Sequence, residues 1–250
     1  SAGGMGAGSA AKIRGRKGKK RIAIFRQVDI FGIMMDDTIR LEKEIMALEP
    51  FITPERKNRI ERVLARRTDN AGFILDGLID WHNISAILRT SEALGLGRLY
   101  IIPGEIEKNR PSRAVSKNSH KWLDIENVMV PPDFLIRKKQ EGFEIWLADG
   151  GPESLDLGTI SIPDRVLVVM GNEHRGGGPE IRALADHRVA IPILGFMESY
   201  NVSVAAAIMA YHLRDHHSFE GLSRNRYLEL KHRFYRQSVR HADLLIRNRR

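Results

Sequence analysis

The sequence predicts an α/β fold in which a mostly parallel sheet carries flanking helices. From residue 72 onward, short apolar runs alternate with segments of helical periodicity, which is the pattern of strand–helix–strand units. One of these runs, RVLVVM at residues 165–170, is apolar after its first residue. Such a run is expected for a parallel strand that is buried on both faces.

The apolar runs place six strands in this part of the chain. They lie at residues 73–79, 98–102, 125–130, 143–148, 165–170 and 188–191. Helical patterns lie between or after them at residues 83–94, 133–141, 179–185 and 201–214. We expect Asn83 to cap the first of these helices, because its short side chain can accept hydrogen bonds from the first-turn amides.

The segment before the sheet predicts two further helices. The first covers residues 36–49, begins at Asp36 or Asp37 and ends before Pro50. The second begins at Thr53, has a proline at its first helical position and runs to about Arg67.

Apolar residues recur at helical steps near the C-terminus, at Leu228, Tyr235, Val239, Ala242 and Ile246. This stripe predicts one amphipathic helix with a basic outer face. The predicted organisation is therefore a basic, disordered tail at 1–21, a helical extension at 22–70, an α/β domain at 71–218 and a basic amphipathic helix at 219–250.

Composition limits the function classes. The chain has 250 residues and a formal net charge of +9. It contains no cysteine, which excludes disulfides, thiolate metal sites and a cysteine nucleophile. No apolar run has the length of a membrane span, and no secretory signal is recognisable, so we expect a soluble, cytoplasmic protein.

The positive charge is concentrated at the two ends. Residues 1–21 and 222–250 each contribute +7, which leaves −5 for the 200 residues between them. Such ends are either solvated tails or two arms that grip a polyanion such as RNA.

The familiar nucleotide-binding and metal-binding motifs are missing. The sequence contains neither G-x-x-x-x-G-K-[ST] nor a strand followed by G-x-G-x-x-G, which argues against a P-loop NTPase and against a Rossmann-type cofactor site. The pair His216–His217 lacks metal-ligand spacing, and we expect no metal site.

Three segments carry unusual polar residues after predicted strands. Residues 83–90 read NISAILRT, residues 171–176 read GNEHRG and residues 191–207 read IPILGFMESYNVSVAAA. In the first segment Arg89 is either a surface ion-pair residue or functional. The glycines of the second form either a plain turn or a loop whose amides approach a ligand. In the third, Ser199, Asn201 and Ser203 either cap the following helix or bind a ligand.

Together and in this order, the three segments resemble the motifs of the SPOUT superfamily, in its TrmH (SpoU) branch of RNA ribose 2′-O-methyltransferases. The resemblance covers residues 54–218, including ERVLARR at 61–67 and SHKW at 119–122. It implies a trefoil-knotted α/β methyltransferase domain that binds S-adenosylmethionine in the knot, and a homodimer whose two subunits both contribute near the reaction.

The resemblance also implies site residues. Those expected at the cofactor are Asp149, Gly171, Asn172, Glu173, Ile191, Leu194, Gly195, Ser199, Tyr200, Asn201 and Ser203. Those expected at the reaction are Arg89, Asn83, Glu173, Ser199 and Asn201. In the family, the arginine that matches Arg89 is assigned the activation of the 2′-OH. Because a guanidinium is effectively always protonated, an electrostatic or phosphate-anchoring role is physically easier than a role as base, and both alternatives stay open.

The SHKW segment and the third motif are closest to the tRNA branch, which modifies a guanosine of the D-loop; rRNA is the alternative substrate. A non-catalytic RNA-binding or assembly protein on the same fold is a third possibility. The bases expected to contact RNA are Lys108, Arg110, Arg113, Lys117, Lys121, Arg233, Arg236 and Arg240. The family commonly has leucine where this chain has Tyr200, whose ring would either stack on the adenine or crowd the pocket.

Overall fold

Seven parallel strands form one sheet in the computed structural model, which describes residues 37–104, 121–172 and 176–247. The strands are β1 (Thr68–Asp76), β2 (Leu96–Ile102), β3 (Asp124–Asn127), β4 (Glu144–Ala148), β5 (Leu155–Asp156), β6 (Val166–Met170) and β7 (His187–Ala190). Their order across the sheet is β3-β2-β1-β6-β4-β7-β5, and every neighbouring pair is parallel. The predicted fold class is therefore confirmed, and the trefoil knot stays a prediction of the resemblance.

Helices connect and flank these strands. They are α1 (37–48), α2 (Pro54–Leu64), α3 (Trp81–Ala93), α4 (Pro131–Gln140), α5 (Pro179–Leu184), α6 (Val202–His216), α7 (Arg224–Ser238) and α8 (Ala242–Arg247), with a 3₁₀ turn at Glu49–Phe51. In the described parts of the chain, no helix combines the length and the apolar character that crossing a membrane requires.

All six predicted strands are present, and one strand was missed. β5 has only two residues and both are exposed, so it carries none of the apolar alternation that identifies a strand in sequence. β1 begins five residues before the predicted start, because its first residues are polar and stand outside the apolar run.

The helix starts follow from side-chain caps, with one correction. Thr53 caps α2 as predicted, and its Oγ1 accepts a hydrogen bond from the amide of Arg56 at 3.3 Å. Asn83 does not cap α3. The cap is Asp80, whose Oδ1 accepts from the amide of His82 at 2.8 Å, so Asn83 lies in the first turn of the helix.

The predicted single C-terminal helix is wrong, because the chain breaks between α7 and α8. Val239 has an extended backbone, and His241 adopts a left-handed conformation with φ of 57°. The apolar stripe nevertheless predicted the packed face, since Tyr235, Val239, Ala242 and Ile246 are buried and Leu228 is partly buried against the same cluster. Periodicity identified the buried face, and the turn conformation interrupted the helix.

The sheet carries a hydrophobic layer on each face. On one face, α3 and α6 pack against Phe73, Leu99, Trp146 and Val168. On the other face, α4 and α5 pack against Ile74, Tyr100, Ile145, Leu147 and Val169. All five residues of β6 are buried, as the apolar run predicted.

A third apolar cluster joins the two ends of the described chain. α1 and α2 pack against α7 and α8 through buried residues of all four helices: Leu48, Ile60, Leu64, Leu230, Phe234, Tyr235 and Ile246. The segments at 22–70 and 219–250, which the sequence predicted as two separate extensions, form one helical layer in their described parts. The predicted tail at 1–21 lies outside the described residues.

Candidate functional site

A cleft of about 490 Å³ opens at the carboxyl ends of the central strands. It is bordered by the loops that follow β4, β6 and β7 and by the first turn of α6. In open parallel sheets, ligands bind in the crevice outside the carboxyl ends of the strands. This position makes the cleft the candidate site.

The wall of the cleft is apolar at its base, and glycine backbone forms part of its rim. Met170, Val189, Ala205 and Met209 supply the apolar part. At Gly171 a Cβ atom would lie 2.4 Å from the carbonyl carbon of Gly176, so a side chain does not fit there. The glycine therefore allows the backbone at residues 171 and 176 of the same loop to come into close contact beside the cleft.

The loop after β6 is fixed to the end of β1. The buried side chain of Asn172 donates from Nδ2 to the carbonyl oxygen of Gly77 at 2.8 Å. The amide of Gly178 donates to Oδ2 of Asp76 at 3.1 Å. These contacts hold neighbouring loops in register at the edge of the sheet where the cleft opens.

Asn201 links the third motif to the first. Its Oδ1 caps α6 by accepting from the amide of Ser203 at 2.9 Å and from the Ser203 hydroxyl at 2.6 Å. Its Nδ2 donates to Oδ1 of Asn83 at 3.1 Å. Because the cap fixes which end of the amide is the acceptor, the orientation of Asn201 toward α3 is determined. Ser203 serves this cap and does not line the cleft.

Arg89 is an exposed residue of α3 that has no ion pair and no hydrogen bond to any described residue. The surface ion-pair interpretation therefore finds no partner in the described parts of the chain. Arg89 also does not line the cleft of its own subunit. Within the described residues, its guanidinium therefore makes no contact that would neutralise its charge.

Apart from Ser203, the expected cofactor residues divide into three groups. Those that line the cleft are Asp149, Gly171, Asn172, Ile191, Ser199, Tyr200 and Asn201. Leu194 and Gly195 are exposed outside it, because the loop after β7 projects into solvent between Ile193 and Met197, and Leu194 is 99% exposed. Glu173 lies outside the described residues. The apolar residues at the base of the cleft were not predicted from the sequence, because alanine, valine and methionine occur in any hydrophobic core and do not indicate a binding site.

Asp149 is held by two arginines. Its Oδ2 accepts from Nη1 of Arg182 at 2.8 Å and from Nε of Arg188 at 3.0 Å. Burial opposes the ionisation of Asp149, but the hydrogen bonds and charges of the two guanidiniums outweigh it, and the pKa of the carboxyl is lowered. Asp149 is thus an ionised residue at the rim of the cleft.

The predicted RNA contacts are only partly available. Lys108, Arg110, Arg113 and Lys117 lie outside the described residues, and Lys121 is exposed. Arg233 points inward and pairs with Asp124, and burial lowers its pKa to about 10. Arg236 pairs with Asp243, whereas Arg240 is exposed without an ion pair to a described residue. Because Arg233 is half-buried and paired, its contact with RNA stays a prediction that its surroundings do not favour.

A different basic surface was missed. Four arginines line an open depression of about 580 Å³ between α2 and the ends of α3 and α6, and we call it the basic cleft: Arg59, Arg62, Arg66 and Arg214. Glu92 and Asp215 also line it, and Glu92 is paired with the buried Arg67 at 3.6 Å. The first three arginines recur at steps of three and four, so they share one face of the helical segment. That spacing was the available signal.

Among the described residues, no group of three or more histidine, aspartate or glutamate side chains is placed to hold a metal ion.

Comparison with known proteins gives a consistent result. The model of the SpoU rRNA Methylase family matches residues 70–211. The chain is 35% identical over 179 residues to a tRNA (guanosine(18)-2′-O)-methyltransferase of Borreliella burgdorferi, which covers 72% of this chain and 81% of the relative. It is 33% identical over 180 residues to the protein of the same name from Aquifex aeolicus, which covers 71% and 84%.

Solved structures agree. The crystal structure of the A. aeolicus TrmH/SpoU tRNA modifying enzyme matches with a TM-score of 0.64 and 31% identity, and covers 74% of this chain and 99% of that chain. The SpoU methyltransferase AviRb of Streptomyces viridochromogenes, in complex with the cofactor AdoMet, matches with a TM-score of 0.51 and 24% identity over 62% of this chain and 60% of that chain. At that identity the second match supports the fold alone.

Tyr200 gives the first testable prediction. Its hydroxyl donates to the carbonyl oxygen of Pro192 at 3.1 Å and so ties the two ends of the projecting loop beside the cleft. We expect Tyr200→Phe to weaken the binding of S-adenosylmethionine by about two- to tenfold, the equivalent of one hydrogen bond. Isothermal calorimetry on the wild type, Tyr200→Phe and Tyr200→Leu measures this.

The two substitutions separate the alternatives. If Tyr200→Phe binds like the wild type and only Tyr200→Leu is weaker, the ring stacks and the tie is unimportant. Tighter binding by Tyr200→Leu would mean that the ring crowds the pocket.

Proposed function

Because this chain belongs to the SpoU rRNA methylase family, we propose that it transfers the methyl group of S-adenosylmethionine to the 2′-hydroxyl of a ribose in RNA. The names of the relatives support a guanosine of tRNA as the substrate. The observation that carries the proposal is the cleft at the carboxyl ends of β4, β6 and β7, where residues of the second and third motifs meet. A cytoplasmic location belongs to the same proposal.

The cleft fits such a cofactor. Its apolar base suits a purine ring, and the closely approaching backbone at Gly171 supplies polar groups without side chains. When bound, S-adenosylmethionine supplies a methyl group on a positively charged sulfur. The protein must then hold the ribose oxygen in line with that methyl group, and such alignment contributes on the order of 7–11 kcal/mol to lowering a barrier.

The polar residues take different roles in this proposal. Asn201 and Asn83 are hydrogen-bonded to each other, and with Ser199 at the cleft they orient the ribose. Arg89 carries a permanent positive charge, since a guanidinium has a pKa above about 12. It is therefore suited to anchor a phosphate or to stabilise the developing oxyanion, and unsuited to accept the proton.

A homodimer completes the site in this proposal. The loop after β7 exposes Leu194, Phe196 and Met197, and the first turn of α6 exposes Val204. Several large apolar side chains exposed within one short stretch of chain are typical of a protein interface. Since Arg89 does not line the cleft of its own subunit, a second copy seated on this surface can supply that residue to the cleft.

The basic cleft is the proposed RNA surface. Arg59 and Arg66 are exposed and form no ion pair with a described residue, so their charges are available to phosphates. Arg214 donates to the carbonyl oxygen of Arg66 at 3.1 Å, and burial lowers its pKa. This interaction fixes one side of the cleft. The basic cleft lies at the C-terminal end of α6, whereas the cofactor cleft lies at the first turn of that helix, as expected for contacts that position a large substrate.

Arg89→Ala is the central test of the reaction. We expect transfer of labelled methyl groups to tRNA to fall by at least about 100-fold, while the dissociation constant for S-adenosylmethionine stays within about twofold, because the lost interaction acts on the RNA or on the transition state. Arg137→Gln, which removes an exposed arginine paired with Glu126, is the control.

The outcomes distinguish the alternatives. Retained turnover in Arg89→Ala would overturn the role of this residue. No transfer by the wild type to either a tRNA or an rRNA pool would favour a non-catalytic RNA-binding protein, and transfer to rRNA alone would favour the alternative substrate.

Combined substitution of Arg59, Arg62 and Arg66 by glutamine tests the basic cleft. We expect the affinity for tRNA to fall and the slope of log K against log salt to decrease in magnitude by about 2–3, at about 0.7–0.9 for each lost phosphate contact. Filter binding at several salt concentrations measures the slope. An unchanged slope would place the RNA elsewhere, and the matched variant Arg236→Gln tests the C-terminal helix.

Phe196→Asp tests the dimer. A charge placed in the exposed apolar loop should convert the dimer to a monomer in sedimentation equilibrium without lowering the melting temperature, because Phe196 makes no buried contact in the subunit. Methyl transfer should be lost together with the dimer. A wild-type protein that sediments as a monomer would contradict the proposed assembly.

A further inference from the structure

Three loops border the cofactor cleft, and one carboxylate connects the elements that carry them. Asp149 follows β4, Arg182 lies on α5 behind the loop that follows β6, and Arg188 lies on β7. Both guanidiniums donate to the same oxygen, Oδ2 of Asp149.

Arg182 also contacts the loop after β6 directly. Its Nε donates to the carbonyl oxygen of Gly177 at 3.0 Å, while Nη1 donates to Asp149 at 2.8 Å. The planar fork of the guanidinium makes both contacts at once, which the single ammonium of a lysine cannot reproduce. One side chain thus joins the loop after β4 to the loop after β6.

Glycines beside the two arginines leave room for this arrangement. A Cβ at Gly176 would lie 2.7 Å from Nη2 of Arg182, and a Cβ at Gly151 would lie 2.6 Å from Nη2 of Arg188. Gly176 also has a positive φ of 63°. Three consecutive glycines, at 176, 177 and 178, lose much conformational entropy when this segment is ordered. A hydrogen bond from Arg182 to this segment therefore has a large effect on its order.

We propose that Arg182, together with Arg188, is a positioning residue that orders the loops of the cofactor cleft through Asp149 before S-adenosylmethionine binds. This inference rests on the proposed placement of the cofactor. Arg182 does not line the cleft, so it acts through the loops. The glycine segment of the free protein is held near its bound conformation, and less ordering is needed on binding.

The proposal is tested with Arg182→Gln and the conservative variant Arg182→Lys. In Arg182→Gln the dissociation constant and KM for S-adenosylmethionine should rise about tenfold, as expected for lost charge-assisted hydrogen bonds. Because the cofactor itself orders the loops once bound, kcat at saturating cofactor should stay within about twofold. The dissociation constant of Arg182→Lys should lie between those of the wild type and Arg182→Gln, since a lysine keeps one of the two contacts.

Hydrogen exchange supplies a readout that a general loss of stability would not reproduce. The amide of Gly176 donates to the carbonyl oxygen of Asn172, and that of Gly178 donates to Asp76. In Arg182→Gln these amides should exchange faster in the free protein and regain protection at saturating cofactor, while amides of β1 and β6 stay unchanged. Arg137→Gln should alter neither affinity nor exchange.

A third variant separates this inference from the placement of the cofactor. Ser199→Trp puts a large side chain into the cleft from an exposed loop position and should block binding. If Ser199→Trp blocks binding and Arg182→Gln binds like the wild type, the positioning role is overturned and the site stands. If both variants bind like the wild type, the cofactor lies elsewhere and both proposals fall.

Discussion

The parallel pairing of β6 with β1 and β4 is the constraint on which the rest of the structure depends. Met170 lies opposite both Leu75 and Ala148, so the three strands end at the same level. A loop follows each strand at that edge, so the strand register alone brings these loops together, whatever their own sequences are. The register of β6, whose five residues are all buried, is fixed, because a shift by one residue would turn each of its side chains toward the opposite hydrophobic layer. Register in the core thus determines the geometry of the cleft.

Much of this arrangement was predictable from the sequence. Apolar runs identified the six longer strands, and the ordered motifs at 83–90, 171–176 and 191–207 identified the family that the comparisons confirm. The caps were less certain, since Asp80 and Asn83 are both good caps and only the backbone conformation selects between them. The break after Ser238 left no signal of its own, because the apolar stripe continues through it.

Charge was the least predictable property of individual residues. The sequence gives the C-terminal segment a net charge of +7, yet several of its bases are paired with acids from distant parts of the chain. Arg226 pairs with Asp69 and Asp124, and Lys231 pairs with Glu61. Each of those acids lies more than 100 residues before its partner in the chain, and no local pattern reveals the pairing. Conversely, the exposed Arg59 and Arg62 of α2 lie within the 200 central residues, whose net charge of −5 gives no sign of a local basic surface.

The helical layer at 37–64 and 224–247 also determines when folding can be completed. α2 is made early, but its apolar residues Ile60 and Leu64 are covered by Leu230 and Phe234, and Arg56 donates to the hydroxyl of Ser238, 182 residues later in the chain. During synthesis from the N-terminus, this surface stays uncovered until α7 leaves the ribosome. Contacts of such sequence separation form slowly, because a long loop must close before they are made. The order of synthesis therefore makes the docking of α7 and α8 a late step, on which the burial of α1 and α2 depends.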